Sequence, residues 1–470
     1  MFQATHRAPR AATIALAVIV TCQLMVVLDA TVVNIALVPI ARSLHFTSAG
    51  LSWIIDAYSI AFGGLLLLGG RAGDVFGRRK MLMIGLFIFT LASLLGGLAT
   101  SATWLLVTRA VQGVGAALAA PSTLSLISAT FAEGPERNRA LGIFTAVSAG
   151  GGSLGLILGG ALTSWVSWRW VLFINVPIGI VIIALAPRYV PEPPRNGGRL
   201  DVAGAALVTS GLASLIYAFI RLAEHANARI TVVWFALSVI SLSAFVAVER
   251  RQVQPLLPIR LVTDRLRAPA YATMLFIPAL MYGIFFFVSQ YLERDLHFSA
   301  IQSGFAFIPV TGIIFASSRI TPRLVARLGA RPILLFGLAT LTIASIWISR
   351  ATPSQGYFLG LFGPLLLLGI GAGSSFLPLS VTILSGVPRN DAGAASGMLQ
   401  TMQQTGGALG VAVLSSVAAS YGRSNAMLTG AAFTGVALLI TFFFIHPAPM
   451  TAPPTAEEQA EEILALLLSE

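Results

Sequence analysis

A chain of 470 residues that is 56% hydrophobic and 10% charged, with a mean hydropathy of +0.86, is too apolar for an ordinary soluble protein, where about a quarter of residues are charged. The net charge of +11 does not point to nucleic acid, because the arginines and the sole lysine, Lys80, fall between apolar runs, where they act as topology signals. The single cysteine, Cys22, lies inside the first apolar run, which excludes a disulfide framework and a cysteine-based metal centre.

His6, Arg7 and Arg10 precede an apolar run too long for a secretory leader, so it reads as a retained first span. Runs able to cross about 30 Å of hydrocarbon follow at 12–38, 50–70, 81–99, 103–129, 140–163, 170–187, 201–220, 229–247, 269–291, 301–319, 332–350, 356–382, 393–417 and 427–446. With the N-terminus inside, cytoplasmic segments collect about three times as many basic residues as outer ones, which predicts cytoplasmic termini.

Gly142, Gly151 and Gly155 recur 255 positions later as Gly397, Gly406 and Gly410, and Gly113-Val114-Gly115 recurs as Gly369-Ile370-Gly371. Repeats at nearly the same offset predict an internal duplication. The expected architecture is all-α and polytopic: a six-helix bundle over 1–187, linkers and a two-helix insert over 188–268, a second six-helix bundle over 269–446, and a cytoplasmic tail over 447–470. The Pro-rich stretch 187–199 and the stretch 249–269 read as linkers. In the tail, Glu457, Glu458, Glu461 and Glu462 followed by Ile463, Leu464 and Leu466 to Leu468 suggest a short amphipathic surface helix.

Charges inside spans cost about 2.5–3.5 kcal/mol each on insertion scales, so those that remain call for a reason. Asp29 on span 1 and Arg109 on span 4 fall at similar depth, about 13 and 10 Å inside the outer ends of their spans at 1.5 Å per residue. An acid beside an arginine in a site alternately wet and dry can bind and release a proton. A permanent ion pair that only fixes helix packing is the plain alternative. Asp56, near Tyr58 on span 2, is a candidate substrate contact or second proton site, or else a partly wet residue near the outer surface. Tyr282, Phe286 and Gln290 share one face of span 9, and Gln400 and Gln404 one face of span 13, a pattern suited to lining a cavity for a bulky, partly apolar ligand. Packing against helices or lipid is the alternative for those stripes.

Lys80 is followed by Met81, so the chain has no phosphate-binding loop, and the five histidines show no metal spacing. Gly151-Gly152-Ser153-Leu154-Gly155 matches a hydrolase nucleophile elbow only formally, because it falls inside a membrane helix. These features predict a protein that is not an enzyme and holds no metal.

Five segments in order carry a resemblance: Leu28-Asp29-Ala30-Thr31-Val32-Val33-Asn34, Gly70 to Lys80 with Asp74, Gly77, Arg78 and Arg79, Arg109 with Gln112 and Gly113, the glycines Gly142, Gly151, Gly155, Gly159 and Gly160, and Trp168-Arg169-Trp170 with Phe173, Asn175, Pro177 and Gly179. Together they resemble the major facilitator superfamily, and within it the fourteen-span drug:proton antiporters of the QacA/EmrB type. The resemblance implies a conformational latch at Gly70, Asp74, Gly77, Arg78 and Arg79, proton coupling at Arg109, and an antiporter helix built on the five glycines. Two positions depart from it: Leu156 stands where that helix normally has proline, and Ala326 stands where the second copy of the latch would repeat Asp74.

The resulting expectation is a cell-membrane, multi-pass antiporter that works as a monomer. It exports small amphipathic or cationic compounds against protons by alternating access, driven by the proton gradient with no cofactor. Asp29 would carry the proton and Arg109 would tune it. Two alternatives are an exporter dedicated to one endogenous metabolite, siderophore or lipid, and a non-transporting membrane sensor or scaffold.

Overall fold

The computed structural model describes residues 9–47, 50–131, 135–193, 195, 200–223, 227–252, 259–384, 387 and 392–445; the amphipathic tail expected after 447 lies outside them. The first half comprises α1 (Pro9–Leu44), α2 (Trp53–Phe76), α3 (Arg78–Gly97), α4 (Ala102–Thr130), α5 (Pro135–Trp165) and α6 (Asn175–Tyr189, led in by the short turn Trp170–Phe173). Next come α7 (Val202–Ala223) and α8 (Ala228–Glu249). The second half comprises α9 (Arg267–Arg294), α10 (Ile308–Leu328, led in by Ala300–Ala306), α11 (Ala330–Ser349), α12 (Gly363–Leu384), α13 (Ala392–Tyr421) and α14 (Arg423–Phe444).

The duplication is visible in the backbone. α2 stops at Gly77 and α10 at Gly329, with φ of 111° and 83°, in a region that a side chain would strain. Each glycine N–H closes its helix on a carbonyl four residues back, Gly73 O and Val325 O. His45 and His297, both at φ 56°, follow α1 and α9 at the same offset of 252 residues. Packing repeats as well. α2 and α3 lie along α4, α1 along α5 and α3 along α6; α10 and α11 lie along α12, α9 along α13 and α11 along α14.

Two seams join the halves: α2 against α13, and α5 against α10 and its lead-in helix. The second seam is close because it lacks bulk. A β-carbon on Gly160 would stand 2.6 Å from the Ala300 carbonyl oxygen, and one on Gly304 would stand 2.6 Å from that of Leu156. The Ile301 N–H also donates to Ser164 Oγ at 3.0 Å across it. α7 covers the first seam, packing on both α2 and α13, and Tyr217 stands between Trp53 and Trp234 to tie α2, α7 and α8 together. On α8, Val232, Val233, Val239 and Ile240 are largely exposed, as a lipid-facing surface requires.

Among the described residues, twelve helices are long and apolar enough to cross a membrane, rather than the fourteen expected. The remaining long helices are α5 and α13. α5 offers the apolar stretch Leu154–Trp165, too short by itself. α13 carries Gln400, Gln403 and Gln404 among Gly397, Gly406, Gly407 and Gly410. Both lie in the seams against other helices, where packing favours small residues over lipid-soluble bulk.

Candidate functional site

Glycines set the site by bringing backbones together. Gly113 on α4 meets α2, where a β-carbon would stand 2.4 Å from the Tyr58 carbonyl oxygen, and Gly115 meets α3, 2.6 Å from that of Gly85. Arg109 and Gln112, one turn and one residue before Gly113, are thereby carried into the centre of the first half, where both are buried. Arg109 Nη1 donates to Asp29 Oδ2 at 2.5 Å, so the two charges expected at similar depth are in contact.

The pair sits inside a larger polar cluster. Gln112 Nε2 donates to Asp29 Oδ1 at 3.0 Å and to Ser93 Oγ on α3 at 2.7 Å. Asn175 Nδ2, at the start of α6, donates to Asp29 Oδ1 at 3.0 Å. Arg109 Nε donates to Ile54 O at 3.0 Å, its Nη1 also reaches Gln112 Oε1 at 3.0 Å, and its guanidinium lies 4.5 Å from the centre of the Tyr58 ring. Asp29, Gln112, Ser93 and Asn175 are 0% exposed and Arg109 is 1% exposed, so each donor replaces water that the groups would otherwise need. Gln112 and Asn175 enter the sequence pattern only as motif residues. The signal that could have promoted Gln112 is its spacing of three from Arg109, which places both on one helix face; for Asn175 the signal is an amide inside an apolar segment.

Asp56 does not join this cluster. It is 0% exposed, which overturns its reading as a partly wet residue. Neither of its oxygens has a hydrogen bond of full geometry, and the Ser52 hydroxyl one turn back is the polar group beside it.

The span 9 and span 13 stripes divide. Tyr282 packs on Gly407 and donates from its hydroxyl to Gln404 Oε1 at 3.4 Å, while the Gln404 β-carbon stands 3.0 Å from where one on Gly63 of α2 would be. Gln400 is half-buried one turn earlier. Phe286 and Gln290, joined by a 3.1 Å bond from Gln290 Nε2 to Phe286 O, instead line a separate cavity of about 780 Å³ at the far ends of α9 and α13. Tyr58, Asp56, Tyr282, Gln400 and Gln404 do not line that cavity.

At the opposite ends of the helices, the residues expected to form a latch bind within the first half. Asp74 Oδ1 accepts from Arg78 Nη2 at 2.5 Å, and Gly70 faces Pro121 of α4. Arg79 Nη1 donates to the carbonyls of Pro187 and Val190 at 3.2 and 3.1 Å. Glu192, which sequence reading passed over, accepts the N–H groups of Arg79 and Lys80 at 3.1 Å each and so caps α3 from the chain that leaves α6. A lone glutamate in a proline-rich linker carries no pattern that reveals such a cap.

The glycine helix runs unbroken from Pro135 to Trp165, Gly142 included. Gly151 faces Leu24 and Val27, Gly155 faces Thr31, Gly159 faces the Val32 carbonyl, and Gly160 faces the other half at Ala300. Leu156, in place of a proline, is buried in a core cluster shared with the second half. At this position α5 keeps its hydrogen bonding and uses the leucine as a packing surface.

The sequence pattern of the Major Facilitator Superfamily matches residues 19–411. Over 440 residues the chain is 39% identical to the puromycin resistance protein pur8 of Streptomyces alboniger, covering 91% of this chain and 87% of that one. It is 40% identical to the cephamycin export protein CmcT of Amycolatopsis lactamdurans, covering 91% and 90%. Among solved structures, the xylose transporter XylE from E. coli in a partially occluded, inward-open conformation matches with a TM-score of 0.66 at 14% identity, covering 94% of this chain and all of that one, a likeness of fold.

Proposed function

Given that the chain belongs to the Major Facilitator Superfamily, and is therefore a multi-pass membrane transporter rather than an enzyme, we propose that it is a proton-coupled exporter of small amphipathic or cationic compounds working by alternating access. The observation that carries this reading is the buried carboxylate of Asp29, which accepts hydrogen bonds from Arg109, Gln112 and Asn175. Protonation of Asp29 removes a charge and an acceptor from donors on two helices, α4 and α6, at once. Arg109 keeps Ile54 O, Gln112 Oε1 and the Tyr58 ring, so it can release the carboxyl without being stranded. The proton thereby changes how α1 packs on α4 and α6, and the glycines of α5 and α13 let that change move the bundles.

In this reading α5 and α13, at 31 and 30 residues, are spans in their own right, which makes fourteen. Both termini face the cytoplasm across the cell membrane, and a monomer driven by the proton gradient suffices, with no cofactor. Asp56 and the Tyr282–Gln404 pair are the proposed substrate contacts. The roles that name these relatives, resistance to puromycin and export of cephamycin, support outward transport of antibiotics. The second of these also favours the narrower reading of one dedicated product.

Proteoliposomes under an imposed pH gradient test the proposal. Proton movement that requires both an added lipophilic compound and Asp29 is the expected result. Undiminished coupled transport by Asp29→Asn removes Asp29 from the mechanism.

A further inference from the structure

The cavity of about 780 Å³ lies apart from the Asp29 cluster, between the ends of α9, α11 and α13 and the start of α14. Its size falls in the range of sites for drug-sized molecules. Phe287, Ala418 and Ala419 supply an apolar bed, with Phe286 buried behind it, and Arg294, Arg350 and Arg423 supply its cations against one lining carboxylate, Asp295. That carboxylate is already committed. Arg423 Nη1 is ion-paired with Asp295 Oδ2, its guanidinium lies 3.7 Å from the centre of the Tyr291 ring, and its Nη2 donates to Ala351 O at 3.3 Å. Glu293, on α9 beside the cavity, shares its field with Arg42 and Arg294. The Arg350 guanidinium has no hydrogen bond or ion pair among the described residues, and Arg294 and Arg350 are both exposed.

An apolar bed rimmed by surplus guanidinium groups matches one class of molecule. We propose that this cavity is a binding site for organic anions that join a flat apolar body to a sulfonate or carboxylate, with the body on Phe287, Ala418 and Ala419 and the anionic head on Arg350 and Arg294. A guanidinium fork meets two oxygens of such a head together, and a cation of the same shape meets only repulsion. The site is independent of the export reading, because it uses neither Asp29 nor Arg109.

The test is equilibrium dialysis of the full chain in nanodiscs of zwitterionic lipid, with empty nanodiscs subtracted. The probes are pyrene-1-sulfonate and its cationic counterpart 1-pyrenemethylammonium. The sulfonate is expected to bind about tenfold more tightly than the ammonium, and Arg350→Gln to weaken it by about tenfold, the worth of one charged hydrogen bond. Arg350→Lys should retain part of the affinity, Arg350→Glu should reverse the preference, and Asp29→Asn should leave it unchanged. Equal binding of the two probes, or a sulfonate affinity indifferent to Arg350→Gln and Arg294→Gln in protein that elutes as a single folded species, overturns the proposal.

Discussion

The first half buries Asp29, Arg109 and Gln112 in mutual contact, whereas the second half places Met281, Leu365 and Leu368 at the corresponding positions. The offset of 252 residues between His45 and His297 carries Asp29 onto Met281, and the offset between Gly113 and Gly369 carries Arg109 and Gln112 onto Leu365 and Leu368. The scaffold around them is the same: Gly113 approaches the Tyr58 carbonyl just as Gly369 approaches that of Val310, a β-carbon standing 2.4 and 2.6 Å away respectively. One packing solution therefore tolerates either a hydrogen-bonded charge cluster or plain apolar side chains. The second half keeps this packing without the charges, which supports the proposal that the first half uses them for proton coupling.

The sharpest way to break this comparison is Asp29→Asn, which should abolish proton-driven transport in proteoliposomes while inserting and purifying like wild type. Arg109→Leu should be the costliest to the fold, by about 3–5 kcal/mol, because it leaves Asp29 buried without its cation; a lowered thermal transition in detergent checks it. The double variant Asp29→Met with Arg109→Leu rebuilds the second half's pattern in the first. It should recover most of that lost stability and no transport, since an apolar replacement of a buried pair is often close to neutral. A double variant as unstable as Arg109→Leu would mean that the cluster holds the fold and that the two halves are not equivalent scaffolds. Gly304→Val tests the seam rather than the cluster. Forced against the Leu156 carbonyl, it should cost about 1–3 kcal/mol of overpacking and raise accessibility of a cysteine placed at Ser164. Glu192→Gln should have the smallest effect, about 1 kcal/mol at the α3 cap, read as faster proteolysis near Arg79.

Much of this was legible beforehand because it rests on local chemistry or on repetition. Apolar runs reported most of the helices, and the recurrence of Gly142, Gly151 and Gly155 as Gly397, Gly406 and Gly410 reported the duplication. Hydropathy was least informative for α5 and α13, where seam helices trade apolar bulk for glycine and glutamine. Asp29 and Arg109 stood out because a charge in an apolar run is conspicuous by itself. Asn175, Ser93 and Glu192 did not, because an amide, a hydroxyl or a linker acid gains its meaning only from a partner 19 to 146 positions away.

The sequence by itself determined that this chain is a duplicated bundle of membrane helices with charges, Asp29, Asp56 and Arg109, inside its spans; composition, period and offset are properties of the chain alone. The tertiary structure decided which donors satisfy Asp29, that Asp56 stands outside the cluster, and that Phe286 and Gln290 open onto a separate basic cavity rather than sharing one with Tyr282. Those are facts about which helix faces meet, and helix crossing depends on packing among side chains far apart in the chain.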